Sequence, residues 1–194
     1  MILSFRCKET EKVWHRRFSK KFRADLQVRA RRKLIALHIS AALNDLRRPP
    51  SNHLEALKKD RQDSGAFGLT SSGVSVLFGQ KEMPIMWKSL TLLEKNVMKD
   101  KLIPLEHPET FLKEKFMEPL GVSAYRLAKD TGIKPMAISE ILRGKRRITP
   151  RTGLRLAKFF GVSEGYFVRL QVQYEMDLVK ESESEEIAQI HAIA

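Results

Sequence analysis

GVSAYRLAKDTGIKPMAISEILRGKRR, residues 121–147, is the stretch whose reading decides the fold. Leu127 and Ala128 are predicted on the inner face of a first short helix. Gly132 falls at a sharp turn, where a residue without a Cβ adopts positive φ at no steric cost. Ile138 and Ile141 return to the core from a second helix. Ala128 must be small, because two helices cross closely there. A small residue, a glycine and an isoleucine at these offsets, followed by Arg143, Lys145, Arg146 and Arg147, read as a helix-turn-helix ending in a basic loop. That combination points to DNA as the partner.

Helical patterning continues on both sides of the motif. Pro108 is placed at the first turn of a helix running to Met117, with Phe111, Leu112, Phe116 and Leu120 on one face. Ser123 is expected to cap the next helix, and Lys134-Pro135 to open the third. Thr149 is the expected N-cap of a fourth, whose inner face is Leu154, Leu156, Ala157 and Phe160, ended by Gly161. Ser163 is expected to cap a fifth, with Tyr166, Phe167, Leu170, Tyr174 and Leu178 as its apolar stripe. The fold class expected is therefore mainly α, with five helices over residues 98–194.

The rest of the chain differs. Ile2-Leu3-Ser4-Phe5 reads as a strand containing or adjoining the single cysteine, Cys7, whose simplest role is a small residue there. Helices are expected near residues 20–37 and 40–46. Pro49-Pro50 breaks the chain, and Leu54-Glu55-Ala56-Leu57 begins a strand or turn. Between residues 62 and 97, Gly65, Gly68, Gly73 and Gly79 interrupt any helix. Val74–Phe78 has strand character but no evident strand to pair with.

Charge and cysteine count narrow the function classes. The chain of 194 residues carries a formal charge of +13, which favours a polyanionic partner. Residues 1–63 hold 17 Lys/Arg against 7 Asp/Glu, so most of the excess lies outside the helix-turn-helix. One cysteine excludes an intramolecular disulfide and a multi-cysteine zinc site, and suits a cytoplasmic location. No run of eighteen apolar residues is present, so no membrane partner is expected. ESESEE, residues 181–186, reads as an acidic, solvated end.

HPETFLKEKFMEPLGVSAYRLAKDTGI, SEILRGKRRIT and LRLAKFFGVSEGYF together cover most of residues 104–178. This segment resembles HigA-type antitoxins of the Xre, lambda-repressor-like helix-turn-helix class. The resemblance implies a homodimer that binds a palindromic operator, represses its own operon and neutralises a HigB-type toxin. Lys134-Pro135-Met136 departs from the family pattern and changes the base-reading surface.

FRCKETEKVW, RARRKLIAL and DLRRPPSNHLEALKKDR resemble the beginning of HigB-type toxins, a branch of the RelE-like mRNA endonucleases. The resemblance implies a partial α/β remnant over residues 1–61. The toxins continue into strands carrying the cleaving residues, and residues 62–97 lack that pattern. Reading the third base of each codon with the first two of the next can restore it, where synonymous bases are chosen to suit. In that frame Met83 before Pro84 dictates Ala, Glu82 before Met83 dictates Asp or Asn, and Trp87 before Lys88 dictates Glu. Residues 62–97 are thus expected to be a frameshifted, poorly structured linker, and residues 98–194 an antitoxin domain whose own start is Met98.

The second helix of the motif is expected in the major groove. Lys134, Pro135, Met136, Ser139, Glu140 and Arg143 would face the bases: Lys134 or Arg143 donating to guanine, Glu140 accepting from cytosine, Met136 meeting a thymine methyl. Lys145, Arg146 and Arg147 are expected on phosphates, which sets register without reading sequence. Ser123 and Tyr125 would hold a backbone phosphate at the first helix's start. No catalytic residue, metal or cofactor is expected. His53 is the one residue of the N-terminal segment suited to proton transfer, and His15, His38, His107 and His191 form no ligand spacing. Three readings follow. The favoured one is a DNA-binding antitoxin-type repressor with an inactive toxin remnant. The others are a fusion that still cleaves RNA and a non-functional product of which only the part from Met98 exists in cells.

Overall fold

The computed structural model describes residues 7–48 and 102–191, residues 2, 5 and 52, and the strand backbones at 54–56, 64–69, 74–79 and 86–87. Helix α4, Pro108–Leu112, begins with proline at its first position and passes into a π-helical turn, Lys113–Met117. Helix α5 spans Ala124–Thr131, α6 Pro135–Leu142, α7 Pro150–Phe160, α8 Tyr166–Ser182 and α9 Ser184–Ala188. Phe116 is fully buried at the centre of this bundle. Its ring centroid lies 5.1 Å from that of Phe160, 5.2 Å from Phe167 and 5.7 Å from Tyr166, distances at which aromatic pairs attract beyond their area burial. Leu127, Ala128, Ile138, Ile141, Leu156 and Leu170 complete the same cluster.

Three inner-face expectations and one capping expectation need correction. Leu154 is 47% exposed. Gly153 takes the inward place instead, because α7 and α8 meet there: a Cβ on Gly153 would stand 2.7 Å from Val168 Cγ2. Leu120 is also exposed, since the helix ends at Met117 and the face it was to share stops with it. Leu178 is exposed as well, because the buried side of α8 turns after Leu170 toward Gln171 and Gln173. Ser163 does not cap α8, whose N-cap is Gly165. Its hydroxyl instead donates to Asp45 at 2.6 Å and accepts from Arg169 at 2.7 Å.

In the N-terminal half, α1 spans Lys8–Trp14, α2 Ala24–Ile39 and α3 Leu43–Arg47. Cys7 is the N-cap of α1 rather than part of a strand. Phe5 forms a single bridge, and residues 3 and 4 of the expected first strand lie outside the described set. Strands β1 (Leu54–Ala56), β2 (Ser64–Leu69), β3 (Val74–Gly79) and β4 (Met86–Trp87) form one antiparallel sheet in the order β1-β2-β3-β4. The expectation of a lone strand at Val74–Phe78 is therefore wrong: Val76 pairs with Phe67 on one side and with Trp87 on the other. Regular strands also run through part of residues 62–97, where poor structure was expected. The glycines exclude a helix, but Gly65, Gly68 and Gly79 are accommodated within strands. Pro49, Pro50 and His53 lie outside the described residues.

The N-terminal helices pack on the helical bundle. Ile35, Ala36 and Ile39 of α2 enter the cluster of Phe111, Leu112 and Phe116. Val13, Leu34, Leu37, Leu46 and Ile103 make a second cluster beside it. Polar bonds frame the seam. Arg31 pairs with Asp177 at 2.5 Å, Arg16 with Glu181 at 2.6 Å, and Arg32 with both Glu106 and Glu114 at 2.8 Å. Asp45 accepts from the Ser163 N–H at 2.6 Å, and Asn44 donates to the Gly161 carbonyl at 3.0 Å.

Glu106 titrates unusually. Burial pushes its carboxyl up to about 7, against the opposing pull of Arg32. Glu114 also raises it, while Lys115 and Arg31 lower it. A carboxyl raised on folding favours the folded state when protonated. Its support is thus complete below its ordinary value of 4.5 and is lost as pH rises through about 7. Glu106→Gln is expected to flatten the fall in urea midpoint over that window; an unchanged pH profile would place the dependence elsewhere.

Candidate nucleic-acid interface

Helices α5 and α6 are held by their inner residues and turn their outer residues to solvent. Leu127 and Ala128 fix α5, while Ile138 and Ile141 fix α6. The Ser123 hydroxyl accepts from the Arg126 N–H at 3.2 Å, capping α5. Gly132 closes α5 at φ 64°, the left-handed conformation that a side chain disfavours by about 1–2 kcal/mol. The Arg155 guanidinium donates to the carbonyls of Gly132 at 2.7 Å and Thr131 at 3.2 Å, so α7 clamps the turn from below. Pro135 at the first position of α6 sets its φ without sacrificing a bonded N–H.

The residues singled out in sequence are all accessible to solvent. Ser123, Tyr125, Lys134, Pro135, Met136, Arg143, Lys145, Arg146 and Arg147 are exposed, and Ser139 and Glu140 are partly so. Tyr125 and Met136 are 73% and 71% exposed. Two basic side chains are already paired: Arg146 donates to Glu140 at 2.8 Å, and Arg147 approaches Glu175 at 3.4 Å. Glu140 and Arg146, expected on a base and a phosphate respectively, thus hold each other in the unbound chain. Lys134, Arg143 and Lys145 make no ion pair among the described residues.

Arg151 and Arg155 join this surface without having been singled out. With Lys134 and Arg146 they supply the basic lining of an open groove of about 370 Å³ between the start of α6 and α7. Their signal in the sequence is the four-residue spacing on a helix whose opposite side is Leu156, Ala157 and Phe160. Guanidinium groups beside an exposed helix start suit a phosphate backbone. Among the described residues, no three His, Cys, Asp or Glu side chains gather to hold a metal ion. No described helix is long and apolar enough to cross a membrane.

Comparison with known proteins places this surface in a family. A model described as helix-turn-helix matches residues 113–167. Virulence-associated protein I of Dichelobacter nodosus is 35% identical over 79 residues, which are 41% of this chain and 73% of that protein. Among solved structures, an addiction module antidote protein of a HigA family from Coxiella burnetii is 32% identical, covering 46% of this chain and 98% of its own, with a TM-score of 0.43. Pseudomonas aeruginosa antitoxin HigA, solved with the higBA promoter, is 22% identical and covers 47% of this chain and 100% of its own, with a TM-score of 0.43. Through residues 113–167 and that 35%-identical relative, the chain belongs to the helix-turn-helix family.

Proposed function

We propose that the chain is a sequence-specific DNA-binding repressor of the HigA antitoxin type. It acts as a homodimer on a palindromic operator. Residues 1–61 are the inactive remnant of a HigB-type toxin, joined through frameshifted sequence to an antitoxin domain at 98–194. The observation that carries the DNA reading is α6: Ile138 and Ile141 anchor it, while Lys134, Met136 and Arg143 stand exposed beside the Lys145–Arg147 loop. A short helix fixed from behind, with donors and an apolar tip in front, matches what the major groove reads. The two-fold symmetry of the dimer places two such helices about one DNA turn apart. The resemblance also implies a free HigB-type toxin as a second protein partner.

Two substitutions separate base reading from phosphate contact. Arg143→Ala is expected to weaken operator binding by about 1–3 kcal/mol and to relax preference at one position. Arg146→Ala is expected to weaken binding to all sequences alike and to lower the salt dependence by one contact. A gel-shift series with these two patterns exchanged would refute the assignment. The gene history has its own test: sequencing across codons 58–100 must show the toxin pattern in the shifted frame. An immunoblot band at the full 22.4 kDa identifies the fusion as the cellular species, and a band near half that mass identifies initiation at Met98.

A further inference from the structure

A groove of about 560 Å³ opens where the end of α1 meets the far end of α8. Half-buried Trp14 forms its apolar wall, with Leu102 beside it. His38 and Phe5 hold the indole, their ring centroids 4.9 Å and 6.0 Å from its own. A ring fixed in this way offers a flat apolar surface with little side-chain entropy left to lose. Arg17 and Lys180 are exposed at the same groove and make no ion pair among the described residues. The two acids that line it are already neutralised: Asp177 by Arg31 at 2.5 Å and Glu181 by Arg16 at 2.6 Å. The positive charge of Arg17 and Lys180 is therefore unopposed.

The turn that builds this wall is strained. Arg16 has φ 62°, the left-handed conformation for which a helix end usually employs glycine. Its N–H donates to the Val13 carbonyl at 3.1 Å and that of Arg17 to the Lys12 carbonyl at 2.8 Å, the pattern that closes a helix at such a residue. Bonds from distant parts of the chain hold the strain in place. The Arg16 guanidinium donates to the Ile103 carbonyl at 2.9 Å and to Glu181, and the Arg16 carbonyl accepts from the Ile103 N–H at 2.8 Å. Arginine here does what glycine could not: it removes the charge of Glu181 from the groove and ties the turn carrying Arg17 to the rest of the fold. Strain of this kind gathers at ligand sites.

We infer that this groove binds a free mononucleotide, its base against Trp14 and its terminal phosphate held by Arg17 and Lys180. Bases of every kind stack on aromatic side chains. Two unpaired cations match the charge of about −1.5 to −2 that a phosphate monoester carries at neutral pH. A nucleic-acid strand spreads its charge along the backbone and would need cations in file, and an acidic peptide has no use for the indole. This inference goes beyond the DNA reading and does not rest on it.

The test uses the full chain with Trp87→Phe, which leaves Trp14 as the one tryptophan. The probe is adenosine monophosphate. Saturable quenching of Trp14 fluorescence is expected, and calorimetry on the chain with both tryptophans must return the same affinity. Ribose phosphate, which lacks the base, and adenosine, which lacks the phosphate, are each expected to bind at least about 10-fold more weakly. Arg17→Ala and Lys180→Ala are each expected to weaken binding of the nucleotide by about 10-fold or more and to leave that of adenosine unchanged. Both side chains are exposed, so neither substitution opens the core, and circular dichroism of each variant confirms its fold. Absence of saturable quenching in the folded chain would overturn the inference. So would equal affinity for the nucleotide and adenosine, or unchanged affinity for the nucleotide in both variants. Much tighter binding of a short oligoadenylate would overturn it too, by assigning the groove to a strand.

Discussion

Asp177→Ala is expected to lower the stability of the chain by about 3–5 kcal/mol, the cost of leaving a buried charge without its partner. Asp177 pairs with Arg31 at 2.5 Å, with side-chain exposures of 11% and 3%. It also accepts from Gln173 at 3.1 Å. Truncation leaves the guanidinium stranded between α2 and α8, where burial already lowers its affinity for a proton. Arg31→Ala alone should be as damaging, by stranding the carboxylate. Replacing both with well-packed apolar residues should recover much of the loss. Urea unfolding of the three variants checks this. Equal stability of the parent and Asp177→Ala would mean that the pair is solvated and that α2 is not docked as described.

Phe116→Ala is expected to cost a similar 3–5 kcal/mol by a different route, the loss of transfer energy plus a residual cavity. Phe116 touches the rings of Phe160, Tyr166 and Phe167 from the π-helical turn, so the surrounding helices cannot simply close over the space. The two substitutions should differ in reach. Asp177→Ala should raise hydrogen exchange mainly in α2, whereas Phe116→Ala should raise it in α5, α6 and α7 together, because all three rest on that cluster. Loss of protection confined to α4 would show that Phe116 is peripheral.

The helix-turn-helix was legible because every signal in it is local. Ser123, Gly132, Pro135, Thr149 and Gly161 act on the backbone within a turn of themselves, and Leu127, Ala128, Ile138 and Ile141 repeat at helical spacing. The surface calling for a partner was readable for the same reason, since the opposite side of each helix carries the exposed residues. What escaped depends on distant residues. Leu178 looked like core, but α2 takes the neighbouring side of α8, where Gln173 is buried and Asp177 pairs with Arg31. Leu154 looked like core because nothing in its neighbourhood reveals that α8 comes close enough to require Gly153. Ser163 looked like an N-cap because its bond to Asp45 spans 118 residues. Strand pairing at Val74–Gly79 was missed because strand partners are chosen by tertiary context rather than by the segment itself. Arg151 and Arg155 were not legible because the groove that joins them to Lys134 and Arg146 forms only when α6 and α7 pack together.

The most direct measurement of the central claim is a fluorescence-anisotropy titration of the full chain against two duplexes at one salt concentration. One duplex carries the DNA immediately upstream of the chain's own gene, and the other the same bases shuffled. The account predicts binding to the upstream duplex at least about 10³-fold tighter than to the shuffled one, with much of that difference lost in Arg143→Ala. Equal affinity for both duplexes, falling in parallel as salt is raised, would mean that the surface around α6 attracts phosphate without reading sequence, and would contradict it.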